Sequence, residues 1–309
     1  MADLSVNIAG VHFNNPIIAA SGTIGFGREY SEFYPLSVFG GISCKGTTLK
    51  ERLGNPPPRI AETPMGMLNA VGLQNPGVEH FIKYDLPWLR EQNTVVIANV
   101  AGSTQEDYCK MVEILSETDI DMVELNISCP NVKEGGVQFG TSCQSVGAIT
   151  KAVRKFCKKP LMIKLSPNVA DIAEIAKAAE SEGADAVSLI NTLTGMRIDI
   201  NTRKPIIKNV TGGMSGPAVF PVAVRMVWQV KNAVKIPVVG MGGVTTWKDA
   251  VEMLMAGADA LQIGTALFTN PYAPVEIAKG LNQYLDDHNM KSVTELTHTV
   301  IVLLRIHNA

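Results

Sequence analysis

The chain has 309 residues, a formal net charge of −2, a hydrophobic share of 46% and a charged share of 18%. This composition supports a large buried core and excludes intrinsic disorder. Near-neutral charge without a basic tract leaves no nucleic-acid footprint, and no apolar run reaches the roughly 18 residues that span a bilayer.

The start, Met1-Ala2-Asp3-Leu4, has neither the basic beginning nor the apolar stretch of a secretory signal, so a cytoplasmic location is expected. The cysteines are Cys44, Cys109, Cys129, Cys143 and Cys157, an odd number with long gaps and no Cys-x-x-Cys pair. Free thiols in a reducing compartment are expected, with no metal site and no iron–sulfur cluster on this chain. No low-complexity linker or composition break appears, so one domain over residues 1–309 is expected.

A strand-then-helix rhythm runs through the chain. Apolar runs at 16–20, 38–44, 94–98, 121–125, 161–163, 186–190, 236–239 and 260–263 read as short buried strands. Between them, 105–115, 145–156, 171–182, 219–234 and 247–255 carry helical periodicity; Ile172, Ile175, Ala176 and Ala179 share one face of the third. Apolar strands alternating with amphipathic helices predict a parallel sheet buried on both faces. About eight such units in about 300 residues predict an α/β fold of the (β/α)8 TIM-barrel type. The alternative, an open doubly wound sheet, lacks its early Gly-x-Gly-x-x-Gly turn. Residues 47–78 and 195–216 fit no barrel unit and read as long insertions over the C-terminal face of the strands, the first with room for a hairpin. The stretch from Met290 onward reads as apolar and helical.

In a TIM barrel the residues just after the strands face the active site. Here they are Ser21-Gly22, Lys45-Gly46, Asn99, Asn126, Lys164, Asn191-Thr192, Gly242-Gly243 and Gly264-Thr265. Two lysines after buried strands require either an anionic ligand or ordinary ion pairs, because an unpaired buried ammonium loses its hydration. Asparagine amides both donate and accept, which suits a planar flavin or pyrimidine ring. Gly242-Gly243 and Gly264-Thr265, with Gly216, offer bare backbone N–H groups to a phosphate after the last two strands. The set suggests a bound flavin mononucleotide.

The remaining strand end is Asn126-Ile127-Ser128-Cys129-Pro130-Asn131. A thiol there is a candidate nucleophile or proton carrier, because its pKa of about 8.5 is readily tuned. The plainer alternative is a buried thiol used as apolar filler. The flanking Asn126, Pro130-Asn131 and Gly135-Gly136 favour a functional role.

These residues resemble a known family. Asn126 to Asn131, Asn69-Ala70-Val71-Gly72-Leu73-Gln74-Asn75, Lys164-Leu165-Ser166-Pro167-Asn168 and Gly240-Met241-Gly242-Gly243-Val244 look like motifs of the class 1 dihydroorotate dehydrogenases, over nearly the whole chain. The resemblance implies an FMN-dependent barrel that oxidises dihydroorotate to orotate in pyrimidine synthesis. Cysteine at 129, where the membrane-bound class 2 enzymes carry serine, points to class 1. Lys133-Glu134-Gly135-Gly136-Val137-Gln138-Phe139-Gly140 resembles the loop of the NAD-linked type 1B enzymes, whose partner subunit carries FAD and a 2Fe–2S cluster, in a homodimer within a heterotetramer. The alternatives are a fumarate-dependent type 1A homodimer, a non-redox phosphate-binding scaffold and a related flavin barrel acting on uridine in RNA, the last disfavoured by the neutral charge.

By motif matching, Cys129 is implied as the base that takes a proton beside the dihydroorotate carbonyl. Lys45, Asn69, Ala70, Val71, Gly72, Leu73, Asn126, Asn191 and Thr192 are implied to hold the substrate, with Lys45 answering its carboxylate. Ser21, Lys45, Gly46, Asn99, Asn126, Lys164, Ile190, Gly216, Gly242, Gly243, Gly264 and Thr265 are implied to line FMN. Residues 130–141 are implied to close over the substrate.

Overall fold

The computed structural model describes residues 2–127 and 139–301. An N-terminal antiparallel hairpin, β1 (Val6–Ile8) and β2 (Val11–Phe13), precedes the first barrel strand, β3 (Ile17–Ala19). Then follow β4 (Gly41–Ser43), a hairpin of β5 (Ile60–Thr63) and β6 (Gly66–Asn69), and the barrel strands β7 (Val95–Val100), β8 (Met122–Asn126), β9 (Leu161–Lys164) and β10 (Ala186–Leu189). A second excursion carries β11 (Leu193–Met196), β12 (Ile198–Asp199), β13 (Lys204–Pro205) and β14 (Thr211–Ser215) before the last barrel strands, β15 (Val238–Met241) and β16 (Ala260–Ile263).

Eight strands close a barrel in the order β10-β15-β16-β3-β4-β7-β8-β9, all parallel. The expected (β/α)8 fold is therefore present, and each apolar run supplies one strand. Closure removes every edge, so no barrel strand presents unpaired backbone groups. Burial on both faces explains the unbroken hydrophobicity: β3, β4, β9, β10, β15 and β16 are buried at every residue. Each fully buried Ile, Leu or Val contributes about 1.5–3 kcal/mol.

Helices Gln105–Ser116, Cys143–Arg154, Ile172–Ser181, Phe220–Lys231 and Trp247–Ala256 match the periodic segments. Their starts are fixed by side chains: Thr104, Ser142 and Thr246 each form a reciprocal capping box, and Asp171 accepts from the N–H groups of Ala173 and Glu174. Gly257 ends the last of them at φ +123°. A further helix, Ala273–Asp287, follows the barrel. Beyond Met290 the expectation of helix is not met: residues 290–301 hold only a 3-10 turn at Val293–Leu296. The turn is tied to the N-terminus by Val293 N–H donating to the Asp3 carbonyl, so the segment packs as an extended strap.

One device recurs at the N-terminal ends of the strands. Asp121, Asp185 and Asp259 each accept a backbone N–H at or beside the start of the preceding strand (Val96, Leu161 and Val238) and a cation from a helix (Arg90, Arg154 and Lys231). These clamps hold the end of the barrel remote from the strand C-termini, where conserved roles are typically structural.

The two insertions are one structure. β14 pairs with β6 and β11 in an antiparallel sheet ordered β11-β14-β6-β5, with Gly213 opposite both Asn69 and Thr194. A Cβ on Gly213 would lie 2.0 Å from Thr192 Oγ1, so only glycine lets this sheet press against the end of β10.

Candidate active site

At the C-terminal ends of the barrel strands, beneath that sheet, lies a cleft of about 250 Å³. Its wall includes Ser21, Lys45, Gly46, Asn69, Val71, Gly72, Leu73, Asn126, Lys164, Ile190, Asn191, Thr192, Gly242, Gly243, Gly264 and Thr265. Segments separated by up to about 240 residues in the chain thus meet in one place, because seven of the eight barrel strands deliver their final residues to the same cleft. Three of the expected residues are not on the wall. Ala70 is fully buried, its N–H donating to the Arg59 carbonyl. Asn99 is 1% exposed and lies below the floor. Gly216 stands behind the glycine pair, its carbonyl oxygen 2.9 Å from where a Cβ on Gly243 would be. Cys129 and residues 130–138 of the expected closing loop lie outside the described residues.

The polar rim is held by its own hydrogen bonds. Asn191 Nδ2 donates to Asn126 Oδ1 at 3.3 Å, and the Thr192 N–H donates to Asn191 Oδ1 at 2.8 Å. Tyr108 Oη donates to the Asn126 carbonyl at 2.7 Å, fixing the end of β8 from the helix side. Asn126 and Lys164 are register partners on β8 and β9. The Ser21 hydroxyl donates to the Cys44 carbonyl at 2.7 Å, joining the ends of β3 and β4. Cys44 itself is buried, and burial pushes its thiol pKa up, so it is no competitor as a base.

The glycines form a cradle. Gly242 and Gly243 have φ of +124° and +80°, and added Cβ atoms would meet Ala223 and Phe220 at 2.9 and 2.8 Å. The backbone therefore packs against the start of helix Phe220–Lys231, where N–H groups and the helix dipole favour an anion. Thr265 Oγ1 donates to Ser215 Oγ at 2.8 Å on the opposite side.

Sequence reasoning missed Glu124. This carboxylate is fully buried in the barrel and is hydrogen-bonded from four other strands. Oε2 accepts from Ser43 Oγ at 2.5 Å and Asn99 Nδ2 at 2.7 Å; Oε1 accepts from Ser188 Oγ and Gln262 Nε2, both at 2.7 Å. Burial opposes its charge, but the ammonium of Lys164 and the bonds from Ser43, Ser188 and Gln262 outweigh burial and hold the carboxyl below its usual range. The signal was present: Ser43, Glu124, Ser188 and Gln262 are polar interruptions inside otherwise apolar strands. The wall also takes Met67, Met214 and Phe268, apolar side chains that no strand-end rule selects.

Two buried oxygens test whether a flavin nucleotide fits. Asn99 Oδ1 and Gln262 Oε1 have no hydrogen-bond partner among the described residues. Gln262 lines the cleft, and Asn99 Oδ1 is 2.9 Å from where a Cβ on cleft-lining Gly46 would be. A group bearing ring N–H and hydroxyl donors, with a phosphate for the glycine cradle, matches this donor and acceptor set.

The chain is similar to known proteins over nearly its whole length. The family model described as dihydroorotate dehydrogenase matches residues 3–285. The chain is 56% identical over 294 residues to the "Dihydroorotate dehydrogenase B (NAD(+)), catalytic subunit" of Alkaliphilus oremlandii, covering 95% of this chain and 97% of the relative. The Bacteroides thetaiotaomicron protein of the same name is 57% identical over 297 residues, covering 96% and 98%. That of Petrotoga mobilis is 52% identical over 296 residues, covering 96% and 99%. A family model spanning most of the chain, full-length relatives above half identity and a closed barrel carrying the motif residues in one cleft lead to one conclusion: the chain belongs to the dihydroorotate dehydrogenase family.

Proposed function

We propose that this protein is the catalytic subunit of an NAD-linked dihydroorotate dehydrogenase, oxidising dihydroorotate to orotate in pyrimidine synthesis. FMN, when bound, would supply the hydride acceptor. The observation that carries the reading is the meeting of Lys45, Asn69, Asn126, Asn191 and Thr192 with the Gly242-Gly243 and Gly264-Thr265 cradle in a single cleft. The lining of that cleft has the chemistry for an anionic amide-bearing ring beside a phosphorylated cofactor.

In this reading Lys45 answers the substrate carboxylate, and the amides of Asn69, Asn126 and Asn191 pair with the ring amides of the substrate. Gly242, Gly243, Gly264 and Thr265 hold the phosphate, with Gly216 packed behind the first two. Lys164 places positive charge against the ring. Cys129 takes the proton from the carbon beside the substrate carbonyl, and the loop after it excludes water. Residues 1–309 act as one FMN-binding domain. Electrons leave through a partner subunit carrying FAD and a 2Fe–2S cluster, in a heterotetramer built on a homodimer of this chain. The relatives' shared name supports this NAD-linked assignment over the fumarate-linked one. Among the described residues no helix is long and apolar enough to cross a membrane, and the cytoplasm is the proposed location.

The test is direct. The full chain, produced in its own cells, is expected to purify yellow with an FAD and iron–sulfur protein, and dihydroorotate is expected to bleach the FMN without oxygen. Brisk turnover of the lone chain with fumarate would overturn the NAD-linked part. A colourless chain that binds no FMN would overturn the whole.

A further inference from the structure

The buried cluster around Glu124 lies under the cleft, and nothing in the reaction requires it to touch a substrate. Its geometry nevertheless constrains the cleft floor. An ionised carboxylate accepts hydrogen bonds and donates none. Asn99 and Gln262 must therefore both turn their NH2 groups toward it, at 2.7 Å each, which leaves their carbonyl oxygens on the far side. Neither of those oxygens has a hydrogen-bond partner among the described residues. The orientation of two planar amides, each otherwise free to flip, is thus dictated from below by one anion.

The same anion has a charge role. Lys164 is 5% exposed and lines the cleft on β9, the strand beside Glu124, and is the charged group acting on that carboxylate. From β4, β7, β10 and β16 come the neutral Ser43, Asn99, Ser188 and Gln262, while Lys45 stands at the rim above. A buried ammonium without an anion is costly. Glu124 offsets that cost without entering the cleft.

We propose that Glu124 is a positioning residue for the cofactor site: its carboxylate presents the Asn99 and Gln262 carbonyls as acceptors and balances the Lys164 ammonium, so that the floor suits a ring with N–H or hydroxyl donors. The proposal rests on the reading that the cleft binds FMN.

The test is FMN affinity of the full chain, read from flavin fluorescence released on dilution. Glu124→Gln keeps the shape, removes the charge and can itself donate, so the two amides lose their fixed orientation. Release is expected to rise at least about tenfold, roughly the loss of one charge-assisted hydrogen bond. In a Lys164→Met background the same substitution is expected to cost about threefold or less, because the charge it balanced is gone and only the amide orientation remains to be lost. A merely structural role would give equal losses in both backgrounds, and equal losses, or no loss with Glu124→Gln, would overturn the proposal.

Ser188→Ala guards against a Glu124 variant that fails to fold. Ser188 does not line the cleft, and its loss leaves the carboxylate in place with one fewer donor. Removing a bond to the charged form lets Glu124 take up a proton at higher pH, so FMN release on acidification is expected to begin at higher pH than in the unmodified chain. An unmoved acid limb would overturn the proposal by itself. If the unmodified chain failed to hold FMN, the reading of the cleft would fall instead, which separates the two.

Discussion

Asn191 donates to Asn126 across the end of β9, at 3.3 Å, joining residues 65 positions apart. The bond spans the strand that carries Lys164, so two amides and one cation form a continuous polar arc. Asn126→Ala and Asn191→Ala are each expected to weaken orotate binding about tenfold, as measured by the flavin difference spectrum. The double variant is expected to lose less than the sum, because either truncation alone already breaks the bond between them. Strict additivity would show that the bond does not organise the site.

Cys129→Ser replaces a thiol with a hydroxyl that holds its proton at neutral pH. Flavin reduction by dihydroorotate in a stopped-flow experiment is expected to slow by about 10²–10⁴-fold. FMN content is expected to stay unchanged, since the base acts on substrate. Unimpaired reduction would remove Cys129 from its role.

Gly243→Ala places a Cβ 2.8 Å from Phe220 Cβ and 2.9 Å from the Phe220 nitrogen, at a φ of +80°. Strain of about 1–3 kcal/mol, together with displaced backbone N–H groups, is expected to lower the FMN bound per chain. The absorbance ratio of flavin to protein reads this.

Asp259→Ala acts at the opposite end of the barrel. It removes the acceptor for the Val238 N–H and for Lys231 Nζ, at 2.8 and 2.7 Å. A loss of about 1–3 kcal/mol in urea unfolding is expected, with flavin affinity unchanged. Loss of FMN without loss of stability would contradict the division between a structural end and a functional end.

Asp249 links stability to pH. Burial raises its pKa, but the N–H and hydroxyl groups of Thr245 and Thr246 outweigh that and hold the carboxyl below its usual range. A carboxyl whose pKa is lower in the folded chain stabilises fully above its unfolded value of about 3.9, and the stabilisation fades as pH falls through the folded value. The stability gap between the unmodified chain and Asp249→Asn, at most about 1 kcal/mol for a group only partly shielded from solvent, is therefore expected to be largest above pH 5. It is expected to shrink on acidification, as read by urea titrations at successive pH values. A gap that widened toward acid would refute the assignment.

The amino-acid sequence by itself determined the barrel and much of its rim. Strands buried on both faces must be apolar throughout, helices on a sheet must be apolar on one side, and chains leaving a barrel must turn polar where they meet solvent or ligand. Those constraints are local, so Pro16–Ala20 or Ala186–Ile190 could be read without knowing their neighbours. Tertiary structure alone decided what depends on distant pairing. That β14 lies beside β6, with Gly213 against Thr192, follows from a register between segments more than 140 residues apart. The role of Glu124 follows from closure, since only a closed ring brings Ser43, Asn99, Ser188 and Gln262 around one carboxylate. A charge within a short apolar strand carries no mark of its partners; geometry supplies them, because side chains on the inner face of a barrel point at a common axis.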